Sequence, residues 1–372
     1  MINIGKILKR SAQILWDYRI LWVFGLLFAL TSGGGGGVGR GNTSFRLPDS
    51  HTPPMQQWDV RTMPPALRAL VEWFEKDVLP LIEHPEAHVS TLIWIGVAVL
   101  SFVLLIGILQ AIVRYVSETA IMRMVDEYEQ SGVKVGFRQG WRLGWNRRAF
   151  RLWLIDLIVA LPVVLAVALF IGGGIVLLIA AINRWPNEAP ALVIVAFTGW
   201  IFLFMFVVML IGVFIDLLRQ FFSRMAALEG MSTLASLRNG WQMVGRHWKD
   251  ALLVGLIMLG IRIGFSIFGF IAFFLLIPLY LLLLLPAALI AAIPGALAFG
   301  IASLFTTAPL NWLIGILLAL PVFFTVLFAP LFFLSALYLV YESNVWTLTY
   351  RELKLLETTT PVPASANATF GQ

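Results

Sequence analysis

No cysteine occurs in the 372 residues. That excludes disulfides, thiolate nucleophiles, iron–sulfur clusters and cysteine-bound zinc. Charge is almost as scarce, since Asp, Glu, Lys and Arg make up 12% of the chain, about half the usual share in a soluble domain. No His-Glu-x-x-His pattern, Ser/His/Asp set or paired-carboxylate site is present. His84 and His88 lie four apart beside Glu83 and Glu86, but Pro85 between them spoils a regular helix, so a solvated loop is expected rather than a metal site. Ser32 to Asn42 is rich in glycine yet lacks the Gly-Lys-Ser/Thr of a phosphate loop, and reads as a flexible connection. The expectation is a non-enzymatic chain with no catalytic residue, no metal and no cofactor.

What fills the sequence is apolar. Hydrophobic residues make up 60%, which in a water-soluble protein would leave large exposed apolar patches. Ser90 to Val113, Leu157 to Asn183 and Ala189 to Ile215 carry no charge, and Ala251 to Tyr341 carries one, Arg262. Uncharged apolar stretches of about 18 or more residues are the signature of transmembrane helices. The fold class expected is all-α, a polytopic transmembrane helix bundle with interfacial amphipathic helices.

Spans are expected over Arg19–Gly34, Ser90–Val113 (continuing as helix towards Gln130), Leu152–Ala181, Ala189–Leu218, Ala251–Leu275 and Leu313–Tyr341. Lys6, Lys9 and Arg10 before the first apolar core resemble a signal peptide, but no A-x-A site follows. Pro278 to Leu310 is apolar and interrupted by Pro286 and Pro294. It reads either as two further spans, making eight, or as a broken interfacial hairpin, leaving the preferred six. Pro162 and Gly172-Gly173-Gly174 are possible bend points in the third span. Lys and Arg number four in residues 1–19, eight in 114–151, five in 219–250 and two in the C-terminal tail. The opposite connections carry five in loop 38–89 and one, Arg184. By the positive-inside rule both termini are cytoplasmic. Trp22, Trp94, Trp153, Trp185 and Trp312 lie near span ends, as an aromatic belt would. Within loop 38–89, Pro64 to Glu83 has the spacing of an amphipathic helix.

Self-similarity organises the chain. Phe137-Arg138-Gln139-Gly140-Trp141 and Leu237-Arg238-Asn239-Gly240-Trp241 are 100 residues apart, and each precedes a long apolar span. Leu8-Lys9-Arg10-Ser11-Ala12, with Trp16 matching Trp145, is a fainter third copy. The expected domain is therefore 1–357, a threefold repeat of about 1–130, 131–230 and 231–357, followed by a disordered tail at 358–372. Each unit is a basic interfacial helix and a transmembrane hairpin. In the middle copy Phe137, Trp141 and Trp145 form an apolar stripe with Arg138 and Arg142 beside it; in the third, Leu234, Leu237, Trp241, Val244 and Trp248 do, with Arg238, Asn239, Gln242 and Arg246 on other faces. Arg138, Arg142, Trp141, Arg238, Trp241 and Arg246 are thus candidates for binding anionic lipid headgroups or a protein partner. The alternative is that they merely anchor the bundle. The positive charge follows the membrane, so no nucleic-acid partner is expected.

The run Ala227-Leu228-Glu229-Gly230-Met231-Ser232, followed by Leu237-Arg238-Asn239-Gly240-Trp241 and a long span, resembles a group of bacterial membrane proteins similar to the membrane domain of some glycerophosphoryl diester phosphodiesterases. The opening Ile7-Leu8-Lys9-Arg10-Ser11 and the closing Val345-Trp346-Thr347-Leu348-Thr349-Tyr350-Arg351 fit the same group. The catalytic barrel of those enzymes has no counterpart here, so the resemblance implies the fold and not hydrolysis.

Asp156, Asp216 and Arg262 are ionisable residues within predicted spans, and intramembrane charge is costly. Asp156 and Asp216 can reach the interface or pair with nearby Arg. Arg262 lies 13 residues beyond Lys249, about 20 Å along a helix. It either pairs within the bundle, contacts carbonyls or lines a polar path, and the last option would make the protein a transporter or lipid-handling protein.

Overall fold

The computed structural model describes residues 2–32, 72, 76, 89–184, 190–304 and 310–359. Among them every regular element is helical. The chain runs through α1 (Ile4–Asp17), α2 (Ile20–Thr31), α3 (Val89–Ser131), α4 (Phe137–Gly144), α5 (Arg147–Arg184), α6 (Pro190–Arg224), a π-helical turn at Met225–Glu229, α7 (Thr233–Arg246), α8 (Trp248–Leu275), α9 (Ile277–Ala302), α10 (Leu310–Leu327) and α11 (Ala329–Thr359). The chain is a multi-pass membrane protein with an all-α bundle. Lipid offers no hydrogen-bonding partner to a bare backbone, so helices that satisfy their own N–H and C=O groups are the solution open to this composition. Phe202 on α6 and Leu169 on α5 are 70% and 68% exposed, a surface that suits acyl chains and not water. The metal-site reading at His84 and His88 lies outside the described residues, and so does the Pro64–Glu83 helix apart from Glu72 and Lys76.

Among the described residues six helices are long and apolar enough to cross a membrane, in α3, α5, α6, α8, α9 and α11, or seven spans if the bent pair α1–α2 counts as one. The number equals the preferred expectation, but the membership differs. The expected first span is a 12-residue α2, bent by 98° from α1. The Pro278–Leu310 region is no broken interfacial hairpin: Ile277–Ala302 is one helix with Pro286 and Pro294 inside it. A proline costs that helix an internal hydrogen bond, but in an apolar setting non-helical backbone costs more. The expected last span, Leu313–Tyr341, is instead divided between α10 and α11. Pro330 sits in the first turn of α11, where its missing N–H is one of four that have no intrahelical partner anyway. Helix α3 does continue to Ser131 as expected, and α5 keeps Pro162 and the three glycines within one helix.

The described residues form two compact units, one of residues 1–28, 111–262 and 336–372, the other of 29–110 and 263–335. In the first, the second halves of α3 and α11 and the end of α6 are the buried axis. Ile121, Met124, Phe221, Val345, Tyr350 and Leu353 are all at most 2% exposed. The short basic helices α1, α4 and α7 pack around this axis through small residues. Gly140 of α4 faces Met124 of α3, and a Cβ there would lie 2.5 Å from its sulfur. Gly240 of α7 is pressed in the same way against Phe222 of α6. Ser11 of α1 is fully buried, and its carbonyl accepts from Asn344 of α11 at 3.4 Å. Two glycines with positive φ end the helices before α4 and α7: Gly132 at 72° and Gly230 at 66°. Any other residue is strained there. In the second unit, Gly295 of α9 and Gly315 of α10 approach closely enough that a Cβ on either would meet the other's carbonyl at 3.0–3.2 Å.

Candidate functional site

Two sets of charged residues stand out, one on the short basic helices and one inside the bundle. On α4, Phe137, Trp141 and Trp145 form a ladder, with ring centroids 6.3 and 6.1 Å apart. Phe24 of α2 stacks beneath Phe137 at 5.1 Å. The helical repeat puts Arg138 and Arg142 four apart on one face. With Gln139, Trp141 and Trp145 they line an open hollow of about 730 Å³. On α7, Leu234, Ala235, Arg238, Asn239 and Gln242 line a smaller hollow of about 410 Å³. Arg138, Arg142 and Arg238 have no ion-pair partner among the described residues, nor have Lys6, Lys9 and Arg147, whereas three basic side chains of α1 and α11 are engaged. Arg10 pairs with Glu129 at 2.7 Å, Arg351 with Asp126 at 2.5 Å and Lys354 with Glu229 at 2.5 Å.

Two sequence candidates fall elsewhere. Arg246 pairs with Glu357 of α11 at 3.2 Å and does not line the α7 hollow. Trp241 is exposed and meets Phe214 of α6 edge to face at 6.2 Å, also outside that lining. The α7 stripe is divided: Val244 is buried, Leu237 half-buried, and Leu234 and Trp248 exposed.

Inside the bundle, the three intramembrane candidates are not brought to one point. Asp216 and Arg262 meet, with Arg262 Nη1 donating to Asp216 Oδ2 at 3.0 Å while its Nη2 donates to Glu342 Oε1 at 3.1 Å. This ties α6, α8 and α11 together. Asp156 instead joins a second cluster. It accepts from Arg219 Nε at 2.5 Å and from the Tyr115 hydroxyl at 2.9 Å, and Arg114 stands 3.9 Å away. Arg219 also donates to both oxygens of Glu118 at 3.2 Å, so α3, α5 and α6 are tied together. Arg224, 2% exposed, donates to the Gln220 side chain at 2.6 Å and to the Gln220 and Ser343 carbonyls at 2.9 and 3.4 Å. Two ion-pair clusters result, Arg114 and Arg219 with Glu118 and Asp156, and Arg262 with Asp216 and Glu342, while Arg224 is held by neutral acceptors. Charges taken out of water persist only when paired and hydrogen-bonded.

Sequence reasoning missed Arg114, Glu118, Arg224 and Glu342, and Arg219, the arginine nearest Asp216 in sequence, pairs instead with Asp156 and Glu118. Arg114 directly follows the uncharged run ending at Val113, and Glu342 directly follows Tyr341. Both look like the first residues of a loop when a span is cut at its first charge. The signal available was the need of Arg262 for a carboxylate on a neighbouring span.

A family model described as a family of unknown function (DUF7544) matches residues 8–360. No curated protein and no solved structure matches the chain.

Proposed function

The chain belongs to this family of unknown function, so its role must come from its own residues, and we propose that it is a non-enzymatic membrane protein that gathers anionic lipid headgroups on α4 and α7. The observation that carries this reading is the α4 hollow, where Arg138 and Arg142 stand without carboxylate partners among the described residues, beside the exposed Trp145. A tryptophan at the acyl boundary and an arginine at phosphate level are the two halves of an interfacial anchor. Each basic residue near an anionic surface adds about 1 kcal/mol. In this reading α1, α4 and α7 are three uses of one unit, lying at the cytoplasmic face of a bacterial inner membrane. A protein partner on the same arginines is the competing occupant.

A polar path at Arg262, which would make the protein a transporter, is less favoured. Both of its Nη atoms are already held by carboxylates, which suits a lock between helices better than a station for a passing solute.

The test is to reconstitute the full chain in zwitterionic nanodiscs doped with phosphatidylglycerol and count retained lipids by native mass spectrometry. Wild type should retain phosphatidylglycerol over phosphatidylcholine, and the Arg138→Gln/Arg142→Gln/Arg238→Gln variant should lose that selectivity. Equal retention by both proteins would sink the reading.

A further inference from the structure

The two hollows occupy corresponding places on their helices. Arg138 and Arg238, Gln139 and Asn239, and position 142 and position 242 are each 100 residues apart and line the two hollows in the same order. Position 142 is where they differ in charge: it is Arg142 in the first hollow and Gln242 in the second. The first therefore offers two guanidinium groups, the second one. The walls differ as well, with Trp141 and Trp145 in the larger hollow and Leu234 and Ala235 in the smaller.

We propose that the two hollows sort lipid headgroups by valence, with α4 taking a phosphomonoester dianion and α7 a phosphodiester monoanion. A terminal phosphate monoester carries about −1.5 to −2 near neutral pH and three acceptor oxygens. Two guanidinium forks one helical turn apart match that charge and can each donate twice. A phosphodiester carries a single charge and two free oxygens, which one fork satisfies. Gln242 can donate a hydrogen bond but cannot balance a second charge. The side chains of Arg142 and Gln242 are exposed, so exchanging them leaves the packing of both helices alone. The proposal rests on the headgroup reading given above and adds a valence to each site.

The experiment uses the full chain in phosphatidylcholine nanodiscs carrying equal amounts of phosphatidic acid and phosphatidylglycerol, with retained lipids counted by native mass spectrometry. One basic residue is worth roughly five-fold in surface partitioning. Wild type should retain one phosphatidic acid and one phosphatidylglycerol, the α4 site favouring phosphatidic acid by about that factor. Arg142→Gln should exchange the retained phosphatidic acid for a second phosphatidylglycerol. Gln242→Arg should exchange the retained phosphatidylglycerol for a second phosphatidic acid. An Arg142→Gln protein that keeps its phosphatidic acid, or a Gln242→Arg protein that gains none, overturns the valence assignment alone. Retention of neither above phosphatidylcholine overturns the headgroup reading along with it.

Discussion

Arg262 and Asp216, 46 residues apart in sequence, meet at 3.0 Å with Glu342 closing the other side of the guanidinium. One side chain thereby ties three helices together. Removing the cation leaves two carboxylates without their ion-pair partner.

Arg262→Leu should therefore destabilise the protein by about 1–3 kcal/mol, since Glu342 is buried while Arg262 and Asp216 are partly exposed. The triple variant Arg262→Leu/Asp216→Asn/Glu342→Gln should recover part of that loss, because amides need no counter-charge. Thermal melting in one detergent compares the three proteins. An Arg262→Leu protein as stable as wild type would remove the lock.

Asp156 and Arg219 should be strongly coupled. A double-mutant cycle with Asp156→Asn and Arg219→Met should give an interaction energy of about 1–3 kcal/mol. Glu118→Gln should weaken Arg219 less, since Asp156 remains. Equilibrium unfolding in mixed micelles reads the cycle, and additive single effects would argue against a shared cluster.

Glycines at the seats of the short helices should behave opposite to glycines on their free faces. Gly140→Ala and Gly240→Ala place a methyl into Met124 and Phe222, and should cost about 1–3 kcal/mol. Gly245 of α7 faces open space, with no neighbouring atom within 4 Å of where a Cβ would stand. Gly245→Ala should therefore be neutral or stabilising by up to about 1 kcal/mol. Melting temperatures should move in opposite directions.

The joint between α6 and α7 should open when its arginine clasp is cut. Arg148 Nη1 donates to the carbonyls of Ala227 and Leu228 at 2.7 and 3.0 Å. Arg151 donates to those of Gly230 and Met231. These are end-of-helix carbonyls with no intrahelical N–H. Arg148→Met/Arg151→Met should speed amide hydrogen exchange across 225–232 while leaving 115–125 of α3 unchanged. Unaltered exchange at the joint would show that the clasp is dispensable.

Much of the fold is legible in the sequence because apolar run length maps directly onto helices in lipid. The helices α3, α5, α6 and α8 and the short basic α4 and α7 all lie where run length and helical spacing put them. Proline is where the pattern misleads. Pro286 and Pro294 read as breaks where the apolar setting enforces a helix, and Pro330 begins a helix inside what looks like one span. The site is legible in part. The spacing of Arg138, Arg142 and Arg238 is enough to put them on one exposed face each. The ion-pair clusters are not legible, because pairing depends on which spans are neighbours. By sequence Arg114 and Arg219 count as loop charges setting topology, yet each is held against Asp156 inside the bundle.

The contact between Ser11 and Asn344 bridges 333 positions of sequence. A ribosome adding about 5–20 residues per second needs on the order of 20–60 s to make that interval. For that time α1 can hold Glu129 of α3 through Arg10 but not Asn344. The first helix to be made thus completes its seat last, and a nascent chain stalled before α11 would leave Ser11 and Gly25 without Asn344, Ala336 and Val340 for whatever quality control patrols the membrane.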